Sequence, residues 1–124
     1  MQPETLLHRQ VHPHWFKEGH ILSIAFRPNA NDEGLLSVYD GDQISPRASW
    51  NHYTKTNLSA GVWSVTFEEA VIAKVPARPH PLENFPEHAV IDFSNHNEKQ
   101  QKSKSKILAA KAEERGCLYC PSPA

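Results

Sequence analysis

The sequence contains few cysteine, glycine and methionine residues. It also has almost no net charge and no long apolar run. Of the 124 residues, two are cysteine, five are glycine and one is methionine, and the formal net charge is -1. No segment reaches the roughly 18 consecutive apolar residues that cross a bilayer, so we expect no membrane partner. Thirteen basic side chains are balanced by fourteen acidic ones, and this balance disfavours nucleic acid as a partner.

The two cysteines and the first residues together predict a cytoplasmic protein. Cys117 and Cys120 lie three positions apart, and a disulfide between them would close too short a loop to stabilise a secreted fold. The first ten residues lack the apolar centre of a secretory signal. A Cys-x-x-Cys pair also suits zinc or redox chemistry, but a second pair is missing. We therefore expect no metal and no cofactor, and Cys117 and Cys120 are the candidate ligands if a metal does bind.

Short apolar segments between prolines and glycines predict one α+β domain over residues 1–116, with a short C-terminal extension over 117–124. Strands are expected at 21–26, 35–39, 62–67 and 89–93. The first two should pair as a hairpin in a curved, mostly antiparallel sheet, because strands and helices do not alternate regularly. The first ten residues are expected to be loosely held. Residues 70–75 should continue the third strand or form a new one, and four prolines between Val75 and Ala89 predict no regular structure.

Two helices complete the predicted fold. Ser45 and Pro46 should begin the first, near residues 46–55, because serine caps free backbone N–H groups and proline suits the first helical position. The second helix, near 99–115, is C-terminal and ends at Gly116. The core is expected to come from ten apolar residues of these elements: Ile24, Phe26, Leu36, Val38, Trp63, Val65, Phe67, Val90, Ile91 and Ile107.

Histidine is the most distinctive residue type, with eight in the chain. Five of them lie in two proline-containing segments, 12–20 and 80–88. Because proline fixes backbone angles, side chains between prolines lose less entropy on binding than those of a floppy loop. We therefore predict a binding surface made of six residues in these segments: His12, His14, Trp15, His20, His80 and His88.

Complete catalytic motifs are missing. No serine lies in G-x-S-x-G, and Ser23 and Ser37 fall inside predicted strands, which disfavours a serine nucleophile. Phosphate-binding glycine loops of the common kinds are also missing. If there is catalysis, its candidate residues are His12, His20 and His88, since imidazole titrates near neutral pH.

Two functions from different classes remain at this point. The first is a small cytosolic binding or interaction module that acts through a protein partner and catalyses nothing. The second is a small enzyme with a histidine-lined cleft that acts on a nucleotide or a similar polar small molecule, with Tyr39, Tyr53 and Glu87 as further parts of the cleft. Whether the chain is an enzyme is open: convergence of His12, His20 and His88 in one pocket would favour the enzyme, and scatter would favour the module.

Overall fold

Residues 1–121, which the computed structural model describes, form a five-stranded sheet, a two-stranded hairpin and three α-helices. The strands are β1 Leu6–Val11, β2 Phe16–Lys17, β3 His20–Ile21, β4 Leu35–Asp40, β5 Gly61–Thr66, β6 Ala77–Pro79 and β7 His88–Asp92. The helices are α1 Pro46–Tyr53, α2 Phe67–Ile72 and α3 Glu98–Arg115. The large sheet has the order β5-β1-β4-β7-β6, and every pairing is antiparallel. The predicted α+β class is confirmed.

One face of the large sheet carries the apolar core. Leu7 and Val11 of β1 and Val65 of β5 are fully buried there. They belong to one cluster with Leu108 and Ala112 of α3, which packs along this face. No helix within residues 1–121 is long and apolar enough to cross a membrane.

The opposite face carries a row of polar side chains. The register pairs His8 of β1 with Ser64 on one side and with Tyr39 on the other, and Tyr39 pairs with His88 of β7. Residues directly opposite each other in an antiparallel pair share a face. The row Ser64, His8, Tyr39, His88 therefore runs across four strands on the face away from α3.

Strands β1 and β4 separate in the middle of the sheet. All six residues of β1 pair with β5, but only Leu7 and His8 pair with β4. Beyond His8 the backbone pairing between β1 and β4 ends. There the Arg9 side chain connects the two strands, because its Nη1 donates to the Ser37 carbonyl at 3.0 Å. This gap opens beside the polar row and forms the cleft described below.

The predicted strand over residues 21–26 is wrong. Only Ile21 of it lies in a strand, β3, and Ser23–Phe26 is a 3-10 helix that packs against α3. Packing overrides the β-branched composition here, because the turn buries Ala25 and Phe26 and leaves Ile24 38% exposed. The expected hairpin is also wrong, since β4 pairs with β1 and β7.

Several elements differ from the sequence prediction. Residues 6–10, expected to be loosely held, belong to β1, an interior strand of the sheet. Residues 67–72 form α2 where a strand was expected, and its start is a capping box in which Thr66 and Glu69 each accept a hydrogen bond from the other's backbone N–H. The proline-rich stretch contains β6, an edge strand, where the missing N–H of Pro79 is tolerated.

The other predicted elements are confirmed in place. Strands β4, β5 and β7 and helices α1 and α3 lie where the sequence predicts them, and Ser45 accepts the capping bond from Ala48 N at 3.1 Å. The predicted core residues are buried with three exceptions. Ile24 and Ile107 are 38% and 44% exposed, and Phe67 is half-buried.

The C-terminal segment after α3 lies along the outer edge of β5. Val62 N donates to Tyr119 O at 2.9 Å, and Leu118 N donates to Val62 O at 2.8 Å. Cys117 and Cys120 are joined by a disulfide. Residues 122–124 of the predicted extension lie outside the described residues.

We expect Gly34→Ala to destabilise the fold more than Gly19→Ala. Both glycines have positive φ, of 81° and 82°, and alanine in the left-handed region costs about 1–2 kcal/mol. At Gly34 a Cβ would also lie 2.8 Å from Ser94 Cα, whereas nothing lies within 4 Å at Gly19. Urea denaturation of the two variants measures the difference, and equal losses would contradict the close approach of Gly34 to Ser94.

Candidate functional site

A cleft of about 390 Å³ opens at the gap between β1 and β4. It lies on the polar face of the sheet, between α1 and the loop that precedes β7. Its lining residues are His8, Arg9, Gln10, Ser37, Val38, Tyr39, His52, Tyr53, Thr56, Asn57, Leu82, Phe85 and His88. Three histidines, two tyrosines and one arginine therefore meet around a space of the size that holds small molecules.

Ser37, His88 and the His80 carbonyl form a hydrogen-bonded relay at this cleft. The His88 Nδ1 lies 2.7 Å from His80 O, and its Nε2 lies 3.1 Å from Ser37 Oγ. A carbonyl oxygen can only accept, so Nδ1 carries the proton and Nε2 presents a lone pair. The Ser37 hydroxyl consequently donates to Nε2. This is the order of nucleophile, base and orienting group that activates a serine.

Strand register and a tight loop bring these groups together. Ser37 pairs with Val90, two residues from His88 on the neighbouring strand, so the two side chains share a face diagonally. His80 N donates to His88 O at 2.9 Å and closes the loop between them. Within it, Leu82 and Phe85 exchange two backbone hydrogen bonds of 3.0 and 2.9 Å. The loop thus holds the His80 carbonyl against the His88 ring.

Burial favours the uncharged form of His88, whereas Ser37 stays accessible. His88 is 7% exposed, and desolvation lowers its pKa below the ordinary value, although the bond to the His80 carbonyl partly opposes this. Ser37, by contrast, is exposed. An accessible hydroxyl bonded to a neutral, buried imidazole meets the geometric requirement for general-base catalysis.

A second serine–histidine pair lies two strands away and is closed to solvent. Ser64 Oγ lies 2.7 Å from His8 Nδ1, and His8 Nε2 donates to Ile44 O at 3.2 Å. Ser64 is fully buried, and burial lowers the pKa of His8. Because no substrate can reach Ser64, this pair satisfies buried polar groups and stabilises the fold.

Aromatic rings form one wall of the cleft. Phe85 lies between Tyr39, His52 and His88, with ring centroids 5.0, 4.7 and 5.1 Å away. Tyr39 OH is 2.7 Å from His52 Nδ1, and desolvation raises the pKa of Tyr39, so its phenol stays protonated. A planar ligand can pack against such a wall.

No protein-family model, curated protein or solved structure matches this chain. The arrangement of side chains therefore carries the whole functional argument.

Two of the predicted site residues belong to this cleft. His88 lines it and His80 orients His88. His12 lines a shallow depression over residues 53–58 that shares Tyr53, Thr56 and Asn57 with the cleft.

The remaining predicted residues lie outside the lining. His14 N donates to His12 Nδ1 at 3.0 Å, and the Trp15 ring lies 5.4 Å from the Arg9 guanidinium. His20 is 3.1 Å from Glu113 of α3. His12, His20 and His88 therefore do not meet in one pocket, so the convergence expected of an enzyme built on these three histidines is absent among the described residues.

The sequence did not point to four of the residues that build the site. His8 and Arg9 lie in β1, which the sequence does not predict, and the position of Ser37 inside a predicted strand argues against it as a nucleophile. His52 lies on the predicted helix α1 and carries no signal of its own. Tyr39 and Tyr53 were named as parts of a cleft and do line it, whereas Glu87 does not.

The described part of the chain contains no group of side chains arranged to bind a metal ion. No group of three or more histidine, cysteine or carboxylate side chains is placed to hold an ion within residues 1–121. Cys117 and Cys120 share a disulfide, and zinc requires free thiolates.

Proposed function

We propose that the protein is a small enzyme that hydrolyses an ester of a small polar substrate held in the cleft, with Ser37 as nucleophile and His88 as base. The observation that carries this proposal is the relay from Ser37 Oγ through the His88 ring to the His80 carbonyl. It differs from the enzyme alternative of the sequence analysis, which expects His12, His20 and His88 to act on a nucleotide or a similar polar small molecule, and it reverses the expectation against a serine nucleophile.

The reaction follows from the positions of the proton donors and acceptors. Ser37 Oγ attacks the acyl carbon while its proton passes to His88 Nε2, and the carbonyl oxygen becomes an oxyanion. Nε2 then gives this proton to the leaving alcohol oxygen as the C–O bond breaks, which leaves the acyl group on Ser37. Water adds next: its proton goes to Nε2, its oxygen bonds to the acyl carbon, and Ser37 leaves and recovers the proton. Ester and water become acid and alcohol.

His80 acts as a positioning residue in this scheme. Its carbonyl fixes the tautomer of His88, and so keeps the lone pair of Nε2 on Ser37. A carbonyl is a weaker stabiliser of the imidazolium than the carboxylate of a Ser-His-Asp triad, so a modest rate on activated esters is expected.

Covalent labelling tests the proposal. Diisopropyl fluorophosphate, a neutral probe, phosphorylates an activated serine and releases fluoride. We expect one adduct, on the peptide that contains Ser37, when the wild-type protein is digested and measured by mass spectrometry. Ser37→Ala should abolish the adduct and also the hydrolysis of p-nitrophenyl acetate above the rate of free imidazole.

Ser64→Ala is the matched control. Ser64 also contacts a histidine nitrogen but is fully buried, so this variant should label at Ser37 as the wild type does. An unlabelled wild type, under conditions that label a known serine hydrolase, would refute the proposal, and so would an adduct that persists in Ser37→Ala.

A second function, a module that acts through a protein partner, has support from one different observation. Phe16, Leu22 and Ile24 are 37%, 38% and 38% exposed, close to one another in the segment after His14, and exposed apolar side chains are typical of contact surfaces. The labelling experiment separates the two functions, because a module without chemistry leaves Ser37 unlabelled. The cytoplasmic location and the protein partner stay predictions.

A further inference from the structure

We infer that Arg9 binds an anionic group, a carboxylate or a phosphate, on the small molecule that occupies the cleft. This inference rests on the proposed function only in using the same cleft, and it assigns the charge of the ligand. Among the described residues that line the cleft, Arg9 is the only arginine or lysine.

Among the residues that the structure describes, Arg9 lacks a countercharge in direct contact. Within residues 1–121 no carboxylate lies within 4.0 Å of its guanidinium. Its two hydrogen bonds go to neutral carbonyls, Nε to Ala25 O at 2.7 Å and Nη1 to Ser37 O at 3.0 Å. A guanidinium has five N–H donors, so three remain for a ligand.

Desolvation makes it unfavourable to hold the charged Arg9 guanidinium at the gap between β1 and β4. Desolvation lowers the pKa of Arg9 to about 10, and the electrostatic influence of Tyr53 and Asp32 opposes this only in part. Arg9 nevertheless stays charged near neutral pH. An anion in the cleft would supply the missing partner in a low-dielectric place, where charge-assisted hydrogen bonds are strongest.

The Arg9 guanidinium is held in a fixed orientation. Its guanidinium lies 5.4 Å from the centroid of the Trp15 ring, in a cation–π contact. Together with the two carbonyl bonds, this contact sets the position of the planar donor group before a ligand arrives. A preorganised guanidinium suits two-point recognition of carboxylate or phosphate oxygens.

The location of Arg9 also connects the anion to the chemistry. The same Ser37 residue whose carbonyl accepts from Nη1 carries the hydroxyl that faces His88. By strand alternation Arg9 leaves β1 on the face of Leu7 and Val11, and its guanidinium reaches the gap where Nη1 meets the Ser37 carbonyl. A substrate that binds Arg9 and extends through the gap brings its acyl group to Ser37 Oγ. The inferred substrate class is a small ester with a carboxylate or phosphate close to its acyl group.

Nuclear magnetic resonance titration of the Ser37→Ala variant tests this inference without any need for catalysis. Sodium phosphate and sodium acetate are added in separate experiments, with sodium chloride holding the ionic strength constant. We expect the Arg9 Nε–H resonance and the amide of residue 37 to shift and saturate with at least one of the two anions. The anion that saturates identifies the preferred group.

Arg9→Lys and Arg47→Gln complete the design. Arg9→Lys keeps the charge but loses the fork of donors, and we expect it to weaken anion binding about tenfold or more. Arg47 is exposed on α1, so Arg47→Gln removes one positive charge and should leave binding unchanged.

Two results would overturn the inference. One is a shift at Arg9 that grows linearly with both anions and saturates with neither, which the wild type and Ser37→Ala report even if Arg9→Lys fails to fold. The other is equal anion affinity in Arg9→Lys and the wild type. Either result leaves the labelling of Ser37 unaffected, so the failure of this inference is distinguishable from the failure of the proposed function.

Discussion

Replacing Phe26 with alanine is expected to lower the free energy of unfolding by about 3–5 kcal/mol. Phe26 is fully buried at the end of the 3-10 helix Ser23–Phe26, which packs against α3. Removal of its ring forfeits apolar burial and leaves a cavity that the neighbouring side chains fill only in part. Urea denaturation followed by circular dichroism measures the change.

Ile24→Ala is the matched control for this prediction. Ile24 is 38% exposed, so the loss at this position should be under about 1 kcal/mol. A strand would place Ile24 and Phe26 on the same face, because side chains alternate with a period of two. Comparable losses in the two variants would contradict the 3-10 helix and support the strand that the sequence predicts.

This pair of residues illustrates which parts of the fold were predictable from sequence. Elements with local chemistry of their own, such as α1 with its Ser45 cap and α3 with its Gly116 stop, lie where the sequence predicts them. The 3-10 helix has no such signal. Its conformation depends on packing against α3, which lies far along the chain. Only the three-dimensional contact decides that Ala25 and Phe26 turn inward.

The candidate site was predictable only in part, for a related reason. His88 was recognised as a candidate through its residue type, but its partners come from strand register. Ser37 reaches His88 because β4 pairs with β7, and Arg9 reaches Ser37 because β1 separates from β4. A local signal of the fold that was available and unused is the T-x-x-E capping box at Thr66, which marks the start of α2, outside the cleft.

Replacing His88 with asparagine is expected to slow the labelling of Ser37 by diisopropyl fluorophosphate about 10²–10⁴-fold, the usual contribution of a general base. The asparagine amide can still donate toward the His80 carbonyl in place of Nδ1, but it offers no basic nitrogen at the position of Nε2. The variant therefore removes proton transfer while it keeps a donor toward the His80 carbonyl. His52→Asn is the control, because His52 lines the same cleft but contacts Tyr39 rather than Ser37.

The pH dependence of labelling tests whether His88 is the base. Nε2 accepts a proton only when the ring is neutral, so the rate should fall tenfold per pH unit below the pKa of His88 and stay constant above it. Burial lowers this pKa below 6.5, so the plateau should already include pH 7.

The titratable neighbours of His88 are His80, whose Nδ1 lies 3.2 Å from that of His88, Tyr39 on the paired strand and Glu87 next in the chain. Tyr39 stays protonated throughout the range, since its pKa is raised.

To separate His80 from His88, the profile is repeated in His80→Asn, which keeps the backbone carbonyl and should retain the inflection. The inflection should disappear only in His88→Asn. A wild-type midpoint above 6.5, or an inflection that survives in His88→Asn, would remove His88 from the role of base.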